Sequence, residues 1–248
     1  MSQPFIFKTE NGIGRLTLNR RDTYNAFDAS MLDAFEDFIA QRRRDHDTRV
    51  IVLDGGDAKG FCAGLDTKQF LGEIFNMAPM DAYQAQVRLS RLFLGLRQIP
   101  QPIISCIHGA AAGIGFSLAM ASDLRVITED ARFSAAYINI GLGGADMASS
   151  YFLPRLIGAG RAHEFLLTGT WMDAQTAMDL GMVSRILPRE ELIPTAMELA
   201  ALMVEKHPMG LRMTKEAINV NLDCSGLEAA LNLEDRNQIM IAYTHKMA

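Results

Sequence analysis

Two glycine-containing segments have residue types that suit catalysis by the backbone. They span residues 60–66 and 108–117, and each lies where a predicted strand gives way to a predicted helix. Glycine lets the backbone approach a ligand closely, and the start of a helix directs free N–H groups toward it. Two such N–H groups converging on one oxygen would form an oxyanion hole. Glycines before a helix also serve close packing, so the residues alone leave both interpretations open.

The composition describes a folded protein without an obvious polyanionic partner. The chain has 248 residues, 49% of them hydrophobic, and 24 basic against 29 acidic side chains give a net charge of −5. This length is typical of one domain, or of one domain with an appendage. Because the chain has no block of Lys or Arg, we expect it to bind neither nucleic acid nor an anionic membrane. Its three cysteines are too few for a disulfide framework.

The composition predicts a soluble protein, and two segments could contradict that prediction. The N-terminus, MSQPFIFKTENG, has neither a basic region nor a long apolar run, so we do not interpret it as a signal peptide. Residues 103–122 are about long enough to span a bilayer, but they contain His108, Ser105 and Ser117 and have no flanking aromatic residues. They are interpreted as a buried strand followed by a buried helix. We therefore expect a cytoplasmic protein with no membrane partner.

Strand and helix patterns alternate along most of the chain, which predicts an α/β fold with parallel pairing. The predicted strands span residues 5–8, 13–19, 50–53, 103–107, 124–128 and 183–187. The predicted helices between them include residues 31–39, 81–98, 113–121, 147–156 and 161–168, the first capped by Asp28 or Ser30.

The C-terminal part has a different pattern. Residues 190–206, 208–221 and 227–243 are predicted as three consecutive helices with no strand between them. We therefore divide the chain into a core of residues 1–188 and a helical region of residues 189–248. Methionines lie along these helices at positions 197, 203, 209, 213 and 240, and such apolar faces belong either to an ordinary core or to a subunit interface.

The order and spacing of several motifs resemble those of the crotonase (enoyl-CoA hydratase/isomerase) superfamily over nearly the whole chain. The matching pieces are Leu-Asn-Arg at 18–20, Asn-Ala at 25–26, Phe-Cys-Ala-Gly-Leu-Asp at 61–66, Gly-Ile-Gly at 113–115, Ser-Asp-Leu-Arg at 122–125, Leu-Pro-Arg-Leu-Ile-Gly at 153–158, Leu-Thr-Gly at 167–169 and Gly-Met-Val at 181–183. The resemblance implies a ββα spiral, a C-terminal α-helical trimerisation region, and a homotrimer or dimer of trimers. It also implies an acyl-CoA thioester as substrate, with coenzyme A part of that substrate, and neither a metal nor another cofactor.

The resemblance places particular groups at the site. The N–H groups of Leu65 and Ile114 correspond to the two donors that stabilise a thioester enolate in this family. The family's substrate and coenzyme contacts correspond to Ala26, Ala63, Gly64, Leu65, Asp66, Thr67, Lys68, Gly113 and Ile114. Lys68 is a candidate phosphate contact, and Asp66 is also a candidate helix cap for the segment that follows it. The acyl pocket of the family corresponds to Phe70, Leu71, Ile74, Phe75 and Met77.

The acid–base residues depart from the family pattern. The two glutamates that hold and deprotonate water in hydratases correspond here to Ser117 and Tyr137. Serine is not an unassisted base at neutral pH, so we do not expect hydration by the two-glutamate route. Tyr137 is either a proton donor or an aromatic wall of the pocket.

One carboxylate remains near the position where other members carry an aspartate. Asp146 precedes the predicted helix at 147–156, and it either acts in catalysis or caps that helix. As a sole base assisted by Tyr137, it favours double-bond isomerisation or a non-standard hydration. As a nucleophile, it would make the protein a hydrolase or dehalogenase-like enzyme, although the dehalogenase's partner histidine corresponds to Ser90. A non-catalytic CoA-binding protein is the alternative from another class.

The other candidate nucleophiles and bases are interpreted as structural. Cys62 stands where the family has small residues and has no basic partner nearby in the sequence. His108 lies at a strand-to-helix bend where the family usually has Asn. The remaining histidines lie on polar helix faces, at positions 46, 163, 207 and 245.

Overall fold

The computed structural model of the protein describes residues 3–66 and 76–246. In chain order its strands are β1 (Phe5–Glu10), β2 (Ile13–Leu18), β3 (Val50–Asp54), β4 (Ile103–Ile107), β5 (Ala110–Ala112), β6 (Leu124–Thr128), β7 (Arg132–Ser134), β8 (Met172–Asp173) and β9 (Arg185–Leu187). Its described helices are α1 (Ala29–Arg42), α2 (Pro79–Gln98), α3 (Ile114–Ala121), α4 (Ser149–Ile157), α5 (Ala159–Thr168), α6 (Ala174–Asp179), α7 (Arg189–Val204), α8 (Pro208–Asn221) and α9 (Leu227–Lys246). The α/β class and the C-terminal helices are confirmed.

The larger sheet has six strands in the order β1-β2-β3-β4-β6-β9. β1 and β2 form an antiparallel hairpin, and every later pairing in this sheet is parallel. All five residues of β3 and of β4 are buried, which explains why both strands are apolar at nearly every position. Between β1 and β2, Asn11 and Gly12 both have positive φ angles, as a tight hairpin turn requires.

Helices cover both faces of the larger sheet. On one face, Ile51 and Ile103 pack into the main apolar core together with Phe35 of α1 and Phe93 of α2. The other face carries the alternate residues of the same strands, and Leu192, Ala196 and Ala200 of α7 pack on it together with Val50, Val52, Ile104, Cys106 and Val126. The first helix of the predicted C-terminal region is thus a layer over the sheet. The boundary at residue 188 stays a prediction.

The second sheet is small and was not predicted from the sequence. It consists of β5, β7 and β8, and an isolated bridge between Cys62 and Ala111 extends it toward the first glycine segment. Its strands have two or three residues each, and β5 is all alanine. Because alanine has low strand propensity and so short a segment shows no alternation, the pattern gave no signal.

The last two helices are more exposed. Buried Lys215 anchors α8, because its Nζ lies 2.9 Å from Asp123 Oδ2 and donates to Gln101 O at 2.8 Å. Large apolar side chains on α8 and α9 remain exposed, among them Ile218, Leu227, Ile239, Met240 and Tyr243. No helix within the described ranges is long and apolar enough to cross a bilayer.

Several local predictions are confirmed. Asp28 caps α1, and its carboxylate accepts from the Met31 N–H at 2.9 Å. The apolar stretch at residues 103–122 is a strand followed by a buried helix, with the short strand β5 between them. The helix expected from residue 147, however, begins at Ser149, and this two-residue difference affects Asp146 directly.

Candidate functional site

The two glycine segments meet at Gly64 and Gly113. Both residues have positive φ angles, 100° and 50°, which residues other than glycine rarely adopt. A Cβ on Gly64 would lie 2.9 Å from the Ala112 carbonyl oxygen, and a Cβ on Gly113 would lie 3.7 Å from the Gly64 Cα. The backbones are therefore in contact, which places the following residues, Leu65 and Ile114, beside each other.

Hydrogen bonds around Leu65 determine where its N–H group points. Phe27 N donates to Gly64 O at 2.7 Å, and Asp66 N donates to Phe27 O at 2.8 Å. In a parallel bridge of this kind, the residue between the two bonded neighbours directs its own N–H to the opposite side. Leu65 N–H therefore faces away from Phe27. Ile114 is the first residue of α3, so its N–H has no partner within the helix.

Buried Asn25 fixes the backbone before Gly64, although sequence reasoning gave it no role beyond its place in a motif. Its Nδ2 donates to Gly55 O and to Phe61 O, both at 2.9 Å, and its Oδ1 accepts from Arg20 N at 3.0 Å. Its φ angle is 56°. All the polar atoms of this side chain are thus used to hold the loop that presents Leu65 N–H.

The predicted coenzyme contacts are only partly within the described residues. Ala26 is buried, Ala63 is exposed and Asp66 is half-buried. Thr67 and Lys68 lie outside the described residues, as do the predicted pocket residues Phe70, Leu71, Ile74 and Phe75 and the helix that Asp66 would cap. Met77 is described and exposed.

A cavity of about 420 Å³ opens beside Ala63. Tyr24, Lys59 and Arg132 line it, and the Arg132 guanidinium lies 4.6 Å from the centre of the Trp171 ring. The Tyr24 ring and the two cations suit a ligand that carries a flat base and phosphate groups, while the Asp130 carboxylate, which also lines the cavity, opposes the phosphates. Sequence reasoning missed this set, since the residues are far apart along the chain and belong to no motif.

Ser117 and Tyr137 form a buried pair of hydroxyl groups. Ser117 Oγ lies 3.0 Å from Tyr137 Oη, and both side chains are almost completely buried. Burial raises the pKa of Tyr137 to about 12, and the nearby Asp146 charge adds to this, while hydrogen bonds to Ser117 and Ser149 act in the opposite direction. The pair therefore carries no negative charge at neutral pH and cannot hold a water as two carboxylates do.

Asp146 lies beside this hydroxyl pair, and two donors hold one of its oxygens. Oδ1 accepts from Gln86 Nε2 at 2.6 Å and from Met147 N at 2.7 Å. Burial raises the pKa of the carboxyl group, and these two hydrogen bonds oppose that rise. The interpretation of Asp146 as a helix cap is wrong. α4 begins at Ser149 with Ala148 as its N-cap residue, and no side chain caps it.

Comparison with known proteins assigns the chain to a family. The family model for enoyl-CoA hydratase/isomerase matches residues 8–247. The chain belongs to the enoyl-CoA hydratase/isomerase family. It is therefore an enzyme of a family that acts on acyl-CoA thioesters, which confirms the resemblance and the predicted fold.

Relatives within the enoyl-CoA hydratase/isomerase family carry different activities in their names. The chain is 35% identical over 232 residues to the probable enoyl-CoA hydratase of Mycobacterium bovis, covering 92% of this chain and 81% of the relative. It is 31% identical to the 1,2-epoxyphenylacetyl-CoA isomerase of Escherichia coli, covering 94% and 88%. The crystal structure of an enoyl-CoA hydratase from Bacillus anthracis superimposes with a TM-score of 0.89 at 28% identity, covering 97% and 92%.

Other residues that could supply family chemistry are engaged elsewhere. The Ser90 hydroxyl donates to Val87 O within α2 at 3.0 Å. His108 Nε2 lies 2.8 Å from Ala58 O, and burial lowers the pKa of its imidazole. Burial raises the pKa of the Cys62 thiol to about 12, which leaves it protonated. The described residues contain no cluster of three or more side chains that could hold a metal ion.

Proposed function

We propose that this member of the enoyl-CoA hydratase/isomerase family moves a double bond within an acyl-CoA thioester. The N–H groups of Leu65 and Ile114 stabilise the enolate oxygen, and Asp146 transfers the proton. The observation that carries the proposal is the half-buried Asp146 carboxylate beside two buried hydroxyl groups where hydratases have glutamates. Tyr137 assists, either as a hydrogen-bond donor or as part of the pocket wall.

The chemistry needs one carboxylate in two protonation states. The Asp146 carboxylate takes a proton from the carbon next to the thioester carbonyl, and the electron pair moves onto the carbonyl oxygen as the enolate forms. The same group, now a carboxylic acid, returns the proton to the far end of the conjugated system. A raised pKa suits this cycle because it brings the acid and base forms closer in free energy near neutral pH.

Strain in the backbone next to Asp146 supports a functional role. Met147 and Ala148 have φ angles of 48° and 67°, a conformation that costs a non-glycine residue about 1–3 kcal/mol. The strain keeps the Asp146 carboxylate out of the first turn of α4. The backbone is thus held in an unfavourable conformation that leaves the half-buried Asp146 carboxylate beside the hydroxyl pair.

The proposal favours isomerisation over addition of water for a reason of charge. Hydration needs a water that is both oriented and deprotonated, and two carboxylates usually do this work. Ser117 and Tyr137 are hydrogen-bonded to each other and are uncharged at neutral pH.

The coenzyme part of the substrate would lie along Ala63 and Gly64 and reach the cavity beside Tyr24. Lys59 and Arg132 are the described cations placed to meet its phosphates there. We further propose that the exposed apolar residues of α8 and α9 are covered by neighbouring subunits in a homotrimer or dimer of trimers, and that the enzyme acts in the cytoplasm. No additional cofactor enters the proposed cycle.

Replacement of Asp146 by asparagine tests the proposal. Asn keeps an acceptor for Gln86 and Met147 but cannot accept a proton, so we expect isomerase turnover to fall about 100-fold or more. The assay follows double-bond migration by absorbance across a panel of 3-enoyl-CoA thioesters. Asp173→Asn is the matched control, since Asp173 is an exposed N-cap where asparagine caps equally well.

The outcomes separate the alternatives. Full activity in Asp146→Asn, with an intact fold, contradicts the proposal. An acyl group trapped on Asp146 and detected by mass spectrometry favours the hydrolase or dehalogenase-like alternative. Tight coenzyme A binding without turnover of any thioester in the panel favours a protein that binds the coenzyme without catalysis.

A further inference from the structure

Gln86 contacts the candidate base from a distant part of the chain. It lies on α2, sixty positions before Asp146, and its Nε2 donates to Asp146 Oδ1 at 2.6 Å. The same oxygen accepts from Met147 N at 2.7 Å. Two short hydrogen bonds occupy the lone pairs of Oδ1, and Oδ2 accepts none from the described residues.

We propose that Gln86 is a positioning residue, whose amide fixes the Asp146 carboxylate so that Oδ1 is fully occupied and Oδ2 is the oxygen presented to the substrate. The inference rests on the proposed function, since it assumes that Asp146 is the base. It assigns Gln86 a role that is exerted through the Asp146 carboxylate.

The geometry shows what the second donor adds. The Met147 N–H belongs to the residue next to Asp146, so it restrains the carboxylate only from its own loop. Met147 itself has a positive φ angle, and α4 starts beyond it. Ser149 of α4 holds the Asp146 backbone, since its N–H donates to Asp146 O and its Oγ accepts from Asp146 N, but neither bond restrains the carboxylate. Gln86 joins the carboxylate to a 20-residue helix that packs in the main core through Leu89 and Phe93.

The electrostatic surroundings of the carboxylate are simple. Burial raises the Asp146 pKa, and the hydrogen bonds from Met147 and Gln86 lower it. Among the described residues the titratable group coupled to its charge is Tyr137, which is protonated at neutral pH. Ser149 approaches from α4, but its Oγ accepts from the Asp146 backbone N–H and donates to Gly144 O, not to the carboxylate. Gln86 is thus the one described side chain that donates to the Asp146 carboxylate.

Replacing Gln86 by leucine removes the donor at nearly constant volume. A hydrogen bond to a charged group lost in this way raises the pKa of the carboxyl by about one to two units. The acid limb of the pH profile of kcat/KM for isomerisation should therefore move to higher pH by that amount. At neutral pH kcat should fall about tenfold, while KM changes less than about threefold, because the proposed role of Gln86 is to hold the base and not to bind substrate.

Two further variants make the test specific. Gln84→Ala is the matched control, because Gln84 lies on the same helix two positions earlier and is exposed. It should leave both the pH profile and kcat unchanged. Gln86→Glu places a second carboxylate against Asp146, so the acid limb should move further than in Gln86→Leu. This variant also provides a test if Gln86→Leu does not fold.

The two proposals fail in different ways. If Asp146→Asn abolishes turnover but neither Gln86 variant moves the acid limb, the inference about Gln86 is overturned and the proposed function stands. If Asp146→Asn keeps its activity, the proposed function is overturned and the inference with it. An ordered shift from wild type to Gln86→Leu to Gln86→Glu, with Gln84→Ala unchanged, supports the inference.

Discussion

The larger and smaller sheets of this protein differ in what stabilises them and in what they carry. The larger sheet is built from fully buried apolar strands such as β3 and β4, and no group of the proposed mechanism lies in them. The smaller sheet has strands of two or three residues and little side-chain surface, yet the candidate oxyanion hole lies at its end, where Gly64 meets Gly113. Stability and chemistry are thus concentrated in different layers of one fold.

The comparison predicts that a cavity in the larger sheet affects stability and not turnover. Ile104 is fully buried between its neighbours Val52 and Leu124 and packs under α7. Ile104→Ala should lower the free energy of unfolding by about 2–5 kcal/mol, measured by denaturant titration. The turnover of each folded molecule should be unchanged.

Ile104→Val is the matched control, with an expected loss of about 0.5–1.5 kcal/mol. A drop in the turnover of folded Ile104→Ala would contradict the separation between the two layers, because it would mean that the larger sheet positions the site directly.

A change in the loop that carries Asp146 should lower turnover more than stability. A Cβ on Gly144 would lie 1.9 Å from the Leu166 carbonyl oxygen, so Gly144→Ala must displace the loop. Since a shift of about 1 Å at a catalytic group can lower a rate about 100-fold, we expect a loss of isomerase activity of that order. Steady-state kinetics with a thermal unfolding curve would measure both effects.

The neighbouring glycine provides the control. A Cβ on Gly143 would meet no atom within 4 Å, and its φ angle is not in the positive region. Gly143→Ala should therefore keep wild-type kinetics within about twofold. Equal losses in the two alanine variants would show that loop entropy, and not the position of Asp146, controls the rate.

The sequence predicted the parts of the fold in which many residues repeat one signal. β4 was predicted with its observed bounds and β3 to within one residue, because each is a continuous apolar run with Gly or Pro near its ends. The family motifs also pointed to the backbone N–H groups of Leu65 and Ile114 as oxyanion-hole donors, and this role stays a prediction. The smaller sheet was missed, since Ala110–Ala112 has neither length nor strand propensity.

The surroundings of Asp146 could not be predicted, for two physical reasons. The helix α4 starts two residues later than predicted because Met147 and Ala148 adopt positive φ angles. Non-glycine residues rarely adopt such angles, and no local sequence pattern predicts them. Its second donor, Gln86, lies sixty positions away on another helix, and the contact exists only because α2 and the loop pack together. A polar contact between distant segments leaves no periodic signal in one sequence.

A smaller effect is expected at His108, which lies between the two sheets. Its Nε2 is hydrogen-bonded to Ala58 O, and its Nδ1 is buried without a hydrogen-bond partner among the described residues. A second proton on the ring would therefore place a charge in a buried site. Arg189 adds to the lowering of the imidazole pKa by burial, while Asp130 and Asp54 oppose it. Because the folded pKa lies below the unfolded value of 6.5, the unfolded chain binds the proton more tightly.

The contribution of neutral His108 to stability is therefore present above about pH 6.5 and is lost as the pH falls through the folded pKa. In His108→Asn the free energy of unfolding should change less between about pH 7.5 and pH 5 than in the wild type, as urea titrations at both pH values would measure. His163→Asn, at an exposed imidazole on α5, should keep the wild-type difference. If His108→Asn also kept it, the pH dependence would come from other titratable groups, and the junction of the two sheets would not be its source.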